Sequence, residues 1–309
     1  MSTPQIVIRG ADYEHTLAVP GSYAGMQFGY QTLRAQEIFI PMLESRCFEV
    51  CEFSLANYLM LRAAGETWLS AIPVFPMRAF RHGLAVTLKG SPLESLSALA
   101  GKRIGIDDYS MTAAVWFRGL LQEEYGVDHR SITWVTRPKQ RFPIPPGARV
   151  ERMEGALEDL LGAGAIDVML GFGTKDASRP LSERKLRPVL RDVVGEEQAY
   201  YAKTSIYPIN HVVVIRSDVL ERYPSCAAAV YAAYSQSKEK AYARQLGTTL
   251  VPWSKLLWTS TFDFFGGDPM PYGLTDVNRL VVARLAAYLK EQSFIAAEPD
   301  IDALFVTPA

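Results

Sequence analysis

The chain of 309 residues is 49% hydrophobic and 21% charged, a composition typical of a soluble globular protein with a substantial core. Its formal net charge of −1 argues against nucleic acid or an anionic membrane as the main partner, because both select a large positive excess. Three cysteines are too few for a disulfide framework, and no window approaches the ~20 apolar residues of a membrane span. Since the amino terminus also lacks a signal-peptide pattern, the sequence predicts a cytoplasmic protein.

The first hundred residues alternate short apolar strands with helical patterns. QIVIR and FEVCEF are predicted strands, with a predicted helix around Thr32–Ser45 between them. The apolar LAVTL is a further strand, and SPLESLSALAGKRIGI predicts a helix that ends at Gly101 before a new strand. This alternation is typical of an α/β protein with a mostly parallel sheet.

A second unit is predicted to begin at the strand RIGID. A strongly patterned helix over 111–126 follows it, then the strand ITWVT and a helix, turn and strand within RMEGALEDLLGAGAIDVMLG. The chain then passes the apolar strand HVVVIR and continues into two long helical stretches, over 219–246 and 275–292.

The order of these elements predicts two α/β lobes. Segments 1–103 and 206–309 are expected to form one discontinuous lobe, into which 104–205 is inserted. Two chain crossings would then link the lobes. Because ligands favour domain interfaces and the carboxyl ends of sheet strands, we expect the ligand in a cleft between the lobes.

Two arginines and a histidine lie close together in IPVFPMRAFRHGLAVTL, between predicted strands. Arg78 and Arg81 carry planar guanidinium groups that match a carboxylate, and the same stretch holds His82 and Phe75. This set predicts a receptor for a small anion. The alternative is a solvated loop with two surface arginines and a histidine packed against Phe80.

A second group follows the strand RIGID, in DDYSMTAAVWFRG. Ser110 is the predicted N-cap of the next helix, whose free N–H groups and positive dipole end favour an anionic ligand. Asp108 and Tyr109 are expected to face the cleft, and Thr112 lies in the first helical turn. Arg118, two turns further on, would contact the ligand or remain a solvated helix charge.

Ionisable side chains also accompany other strands. Asp12, Glu14 or His15 comes to the sheet's carboxyl edge after the first strand. Glu52 lies at the end of the second strand, and His211 begins the strand HVVVIR. His82 and His211 are the histidines expected in the cleft, where imidazole suits proton transfer near neutral pH. A hydrogen-bonded core histidine is the alternative for His211.

Several familiar catalytic patterns are absent from the sequence. It contains no GxSxG, no GxGxxG after a strand, no Walker loop, no HExxH and no CxxC. These absences weigh against a serine hydrolase of that type, a dinucleotide enzyme and a structural zinc protein. We therefore predict no cofactor and assign no metal ligand from these patterns, and the sequence leaves undecided whether Asp, Glu and His side chains converge on a metal.

The chain resembles the 4,5-dihydroxyphthalate decarboxylase family in several stretches: FEVCEFSLANYL, AIPVFPMRAFRH, GKRIGIDDYSMTAAVWFRGLLQEEYGV, YYAKTSIYPINHVVVIR and GGDPMPYGLTDVNR. These stretches span nearly the whole chain in order. The resemblance implies the two-lobe α/β fold of type 2 periplasmic solute-binding proteins. Two positions depart from the family pattern: His15 stands where the family tends to carry an arginine, and Met270 where an aromatic residue is expected.

The resemblance implies cofactor-independent decarboxylation of a hydroxylated aromatic dicarboxylate, similar to 4,5-dihydroxyphthalate, to a dihydroxybenzoate and CO2. An arginine would hold the retained carboxylate, a histidine would protonate the ring, and a base would accept a hydroxyl proton. His82 or His211 is the implied proton donor, with His82 favoured because its loop carries two arginines. The implied base is Asp108, Glu52 or the other histidine.

Phe75 and Tyr109 would form an apolar wall for the departing carboxylate. The expected partner is a small aromatic carboxylate, with no nucleic acid or membrane, and the chain is a possible homo-oligomer. Two alternatives use the same fold: a cytoplasmic solute-binding protein without chemistry, and another lyase or biosynthetic enzyme acting on a small carboxylate. A transport receptor would carry an export signal or lipid anchor, which favours the enzyme.

Overall fold

Strands and helices alternate in the computed structural model, which describes residues 4–171, 174–249 and 251–307. The strands are β1 (Gln5–Gly10), β2 (Gly21–Tyr23), β3 (Met26–Thr32), β4 (Val50–Ser54), β5 (Leu69–Arg78), β6 (Ala85–Leu88), β7 (Arg103–Gly105), β8 (Thr133–Thr136), β9 (Arg149–Arg152), β10 (Val168–Leu170), β11 (Leu186–Pro188) and β12 (Ile209–Arg216). The helices are α1 (Ala35–Ser45), α2 (Leu55–Ala63), α3 (Thr112–Tyr125), α4 (Leu157–Gly162), α5 (Thr174–Ala177), α6 (Val193–Thr204), α7 (Ser217–Arg222), α8 (Cys226–Leu246), α9 (Ser254–Phe265) and α10 (Asp276–Glu291).

The first sheet has the strand order β2-β3-β1-β4-β12-β5 within the described residues. β1 pairs in parallel with both β3 and β4, whereas β12 runs antiparallel between β4 and β5. The amino-terminal end of β12 therefore lies beside the carboxyl ends of β4 and β5. His211 is opposite Ser54 on one side and Met77 on the other.

The second sheet has the order β11-β6-β10-β7-β8-β9 among the residues that the structure describes. β10, β7, β8 and β9 run in parallel, and β6 is antiparallel to both of its neighbours, β10 and β11. Val86 and Val135 on these strands pack with Leu161, Ile166 and Met169 in the core of this part of the chain.

The chain divides into two compact units. The first unit runs to Arg78, resumes over Ile209–Ala283 and takes the segment from Pro299 onward. The second unit comprises Ala79–Pro208 and Arg284–Glu298. In the first unit, the buried apolar faces of β1, β3, β5 and β12 pack against α8. Together with the core around Val86 and Val135 in the second, this gives each unit its own hydrophobic core.

The predicted lobe boundaries are wrong in two places. The first crossing lies at Arg78 rather than at 103, because β6 hydrogen-bonds to β10 and β11 in the second sheet. In addition, Arg284–Glu298 joins the second unit, although the prediction kept all of 206–309 in the first. The second crossing, at Pro208, falls close to the predicted position.

Helix predictions succeed where the apolar periodicity is strong. The helices predicted over 111–126 and 275–292 are α3 and α10, and Gly126 ends α3 with a left-handed backbone of φ 64°. The stretch predicted over 219–246 is interrupted, because Pro224 separates α7 from α8. The helix predicted within SPLESLSALA is only a 3-10 turn at Leu96–Leu99.

Candidate functional site

Polar side chains converge toward the carboxyl ends of β1, β4 and β5 in the first unit. Glu52 lies on β4, Arg78 ends β5, and Tyr13 follows β1. His211 is the third residue of β12, whose antiparallel direction brings it to the same end of the sheet. Carboxyl ends of sheet strands are where α/β proteins commonly bind ligands.

Glu52 and His211 form the centre of this group. The carboxylate Oε1 lies 2.5 Å from His211 Nδ1 and accepts from the Tyr13 hydroxyl at 2.9 Å, while Oε2 accepts from the Ala11 N–H at 2.8 Å. The close approach of Ala11 is possible because the preceding residue is Gly10, where a Cβ would lie 3.3 Å from Oε2 and 2.0 Å from the Tyr30 hydroxyl. Glu52 is 1% exposed, so these hydrogen bonds take the place of water around its carboxylate.

These contacts fix the protonation of the pair. Burial alone would raise the pKa of Glu52, but His211, the Ala11 N–H and the Tyr13 hydroxyl outweigh it and hold that pKa below its usual value. An ionised carboxylate can only accept hydrogen bonds, so His211 Nδ1 carries a proton. The remaining ring nitrogen, Nε2, is the one that this contact leaves available for proton exchange.

His15 adds a second imidazole to the group. Its ring stacks on Tyr13 with 5.1 Å between centroids, and its Nε2 lies 2.8 Å from the Pro76 carbonyl oxygen. Because a carbonyl only accepts, Nε2 is the donor. Burial lowers the pKa of His15 and outweighs the hydrogen bond to the Pro76 carbonyl, which raises it. The lowered pKa favours the neutral ring, in which Nδ1 is an acceptor.

Arg78 brings a positive charge to the same end of the sheet. Its Nη2 donates to Asn278 Oδ1 at 2.5 Å and to the Pro271 carbonyl at 2.9 Å. Asn278 is held in turn because its Nδ2 donates to the carbonyls of Pro271 and Gly273, at 2.9 and 2.7 Å. Arg78 is 6% exposed, and these hydrogen bonds fix the orientation of its guanidinium.

Two other predicted residues of the first unit have different surroundings. Phe75 is fully buried and packs edge-on against Phe305, with 5.8 Å between ring centroids, so it is a core residue rather than an exposed wall. Asp12 is exposed and adds negative charge near Tyr30. A ligand contact of Asp12 stays a prediction.

His82 lies in the second unit. Its ring contacts Tyr200 edge-on at 5.1 Å between centroids, and burial lowers its pKa to about 4. At neutral pH the imidazole is uncharged, which makes it a poor proton donor. It lines a cavity of about 140 Å³ together with Glu124, Tyr125, Glu196, Ala199, Tyr200 and Lys203.

Asp108 and Ser110 form a turn of the second unit. The Asp108 carboxylate accepts from both the N–H and the hydroxyl of Ser110, at 2.8 and 2.5 Å, and from the Arg141 N–H at 2.8 Å. These donors leave Asp108 poorly suited to act as a base. The predicted N-cap is also wrong, because Met111 precedes α3 and Thr112 is its first, buried residue.

Arg118 and Tyr109 belong to the core of the second unit. The Arg118 guanidinium lies 4.0 Å from the Tyr109 ring centroid, and it donates to Gln292 Oε1 at 2.6 Å and to the Tyr109 carbonyl at 2.8 Å. Both residues are at most 1% exposed. Arg118 is therefore not a solvated helix charge, because it is buried beneath Tyr109, and its contact with a ligand stays a prediction.

The structure thus brings Glu52 and His211 into contact, with Arg78 at the same end of the sheet in the first unit, and it places His82, Arg81 and the 108–118 group in the second. Sequence reasoning missed Tyr13 and Asn278. The signal for Tyr13 is its position shortly after a predicted strand, where the chain passes the carboxyl edge of the sheet. Asn278 lies in the first turn of an ordinary helix, and its sequence context gives no signal.

The described residues show neither a cluster of metal ligands nor a membrane-spanning helix. Among residues 4–171, 174–249 and 251–307, no three histidine, cysteine or carboxylate side chains converge as metal ligands. In the same part of the chain, no helix has the length and apolar character to cross a membrane.

Similarity to curated proteins is clear over most of the chain. A 4,5-dihydroxyphthalate decarboxylase of Comamonas testosteroni is 31% identical over 269 residues, covering 82% of this chain and 80% of the relative. A 4,5-dihydroxyphthalate decarboxylase of Pseudomonas putida is 34% identical over 146 residues, covering 44% of this chain and 57% of the relative. No family model matches the chain.

Solved structures share the fold at low sequence identity. The periplasmic aliphatic sulphonate binding protein SsuA of Escherichia coli superposes with a TM-score of 0.62 at 14% identity, covering 100% of this chain and 94% of that one. The alkanesulfonate-binding protein SsuA of Xanthomonas axonopodis pv. citri gives 0.60 at 12% identity, covering 99% and 100%. The predicted α/β fold of the periplasmic-binding-protein type is confirmed.

Proposed function

The chain belongs to the 4,5-dihydroxyphthalate decarboxylase family, and from this premise we propose that it decarboxylates a hydroxylated aromatic dicarboxylate. The proposed substrate is 4,5-dihydroxyphthalate or a close analogue, and the proposed products are a dihydroxybenzoate and CO2. The Glu52–His211 pair is the observation that supports this reaction best, since ring protonation needs an oriented proton donor.

The proposed first step is protonation of the ring carbon that bears the departing carboxylate. His211, protonated at both nitrogens, donates its Nε2 proton to that carbon, and the hydroxyl group para to it supplies the electron density. Glu52 holds Nδ1–H and stabilises the positive imidazole before transfer, as a carboxylate behind a catalytic histidine does in other enzymes. Glu52 is thus a positioning residue rather than the base.

Loss of CO2 completes the reaction. The carbon–carboxylate bond breaks, its electron pair returns to the ring, and aromaticity is restored while His211 regains a proton from solvent. The substrate hydroxyl is the electron source, so this scheme requires no cofactor. His15, neutral because of its burial and oriented by the bond from its Nε2–H to the Pro76 carbonyl, is the proposed acceptor for the hydroxyl proton while charge develops, and it returns that proton to the phenolate oxygen as CO2 leaves.

Turnover of a defined panel tests the proposal. The protein is incubated with 4,5-dihydroxyphthalate, with 4-hydroxyphthalate and with phthalate, and CO2 and the aromatic products are quantified with and without chelator. We expect CO2 from the compounds with a hydroxyl para to a carboxylate and none from phthalate, which lacks the electron source. Binding of these compounds without release of CO2 would instead identify a solute-binding protein.

Arg78 is the proposed anchor for the retained carboxylate, because its buried charge is oriented by Asn278 near the acid–imidazole pair. Replacing Arg78 by alanine is expected to raise KM by about 10- to 150-fold, the equivalent of about 1.5–3 kcal/mol for a charged hydrogen bond. Arg78→Lys should recover only part of this, since lysine lacks the planar fork. Steady-state kinetics measure the effect, and an unchanged KM in both variants would refute the assignment.

A further inference from the structure

Arg81 in the second unit has an unpaired hydrogen-bonding edge. The residue is 2% exposed, and its Nε and Nη2 are buried without a hydrogen-bond partner anywhere in the described residues. These two nitrogens share one edge of the planar guanidinium, so an N–H group of each points outward in the same direction. This is the edge with which arginine binds a carboxylate through two hydrogen bonds.

The charged groups nearby do not neutralise Arg81. Glu197 acts on it only through space, and the Glu197 carboxylate instead accepts from the Gly83 N–H at 3.3 Å. Burial lowers the pKa of Arg81 to about 10, which still leaves it positive at neutral pH. A buried charge with two unsatisfied donors is costly unless something else pairs with it.

Arg118 is a second buried arginine of the same unit, and its hydrogen bonds can be compared with those of Arg81. It is 0% exposed, and burial likewise lowers its pKa to about 10. Its Nη1 is also buried without a partner in the described part of the chain, but its Nε and Nη2, the two nitrogens that lack partners in Arg81, donate to Gln292 Oε1 and to the Tyr109 carbonyl. The difference between the two residues is therefore the missing partner and not the burial.

We propose that the Nε–Nη2 edge of Arg81 is a carboxylate receptor of the second unit, separate from Arg78. The choice of an aromatic dicarboxylate as the ligand rests on the proposed function. The edge would select ligands that have a carboxylate to pair with its two N–H groups. Because both nitrogens are closed off from solvent in this conformation, side chains around Arg81 must move before the ligand enters. Association is then slower than for an open site.

Phthalate is the probe, because it carries two carboxylates but has no hydroxyl to drive decarboxylation. Its affinity is measured by calorimetry, and thermal unfolding is followed without ligand. In Arg81→Met the affinity should fall by about 10- to 150-fold, while the unfolding midpoint should rise by roughly 2–8 °C because an unpaired buried charge is removed. Arg81→Lys should bind with intermediate affinity.

Two matched variants serve as controls. Arg118→Met should lower the unfolding midpoint, because it breaks bonds to Gln292 and Tyr109. Arg191→Met removes an exposed arginine of the same unit that pairs with Glu94, and should leave phthalate affinity unchanged. Phthalate affinity in Arg81→Met within two-fold of the parent would overturn the receptor, and so would a fall in its unfolding midpoint. Neither readout needs turnover, so failure of the proposed reaction would be seen separately, in the CO2 assay.

Discussion

Replacing His211 by asparagine is expected to lower kcat for decarboxylation by about 10²- to 10⁴-fold and to leave KM within a few-fold. Asparagine keeps a donor that can reach Glu52, but it has no proton that it can transfer to a ring carbon. The binding of substrate through its carboxylates does not depend on that proton. Steady-state kinetics on 4,5-dihydroxyphthalate, with CO2 release as the readout, measure both constants.

His82→Asn is the comparison that decides between the two histidines. Its imidazole is neutral at pH 7 and lies among Tyr125, Tyr200 and neighbouring side chains of the second unit. We expect kcat of this variant to stay within a few-fold of the parent. A dead His82 variant beside an active His211 variant would reverse the assignment, and two active variants would exclude histidine as the acid.

Replacing Glu52 by glutamine is expected to lower kcat by about 10²- to 10⁴-fold while the substrate still binds. The glutamine amide can accept on one side only, and its NH2 group would face one of the donors Ala11, Tyr13 or His211. His211 would lose the negative charge that stabilises its protonated form. Ligand binding measured beside turnover separates this effect from loss of the folded site.

The same variant has a pH-dependent effect on stability. Because the pKa of Glu52 is lowered in the folded protein, its stabilising contribution is present above the ordinary value of 4.5 and is lost as pH falls through the folded pKa. Glu52→Gln should therefore lower the free energy of unfolding by about 1–3 kcal/mol at pH 7, and the difference should shrink in acid. Denaturant unfolding at pH 7 and at several pH values descending from 4.5 tests this, and a difference that grows in acid would contradict it.

Local sequence patterns predicted the elements of this fold better than their assignment to sheets. The periodicity of 111–126 and the apolar run HVVVIR identified α3 and β12, because both elements are defined by the side chains that they bury. The strand LAVTL was equally visible. Its apolar pattern fits either sheet, and only its pairing with β10 and β11 assigns it to the second unit.

The candidate site shows a similar division. The sequence identified Glu52, His211 and Arg78 as ionisable residues near strand ends, but it could not show that Glu52 and His211 touch across 159 residues of chain. It also favoured His82 for its neighbours in sequence, whereas burial rather than proximity to arginine determines the charge of that ring. Similarly, the sequence left Arg118 as a ligand contact or a solvated helix charge, and it could not show the bond to Gln292, which is remote in sequence.

That remote partner has a consequence for synthesis on the ribosome. Gln292 lies 174 residues after Arg118, within Arg284–Glu298, which the second unit takes from the far end of the chain. Since a nascent chain folds as its residues emerge, most of the second unit is made long before the segment that completes it. Until that segment emerges, there is no Gln292 side-chain oxygen to accept the hydrogen bond from the Arg118 Nε–H. The part of the unit that this segment will cover stays exposed. The second unit therefore reaches its final contacts only after Arg284–Glu298 has emerged, by which time Ile209–Ala283 of the first unit has already been made.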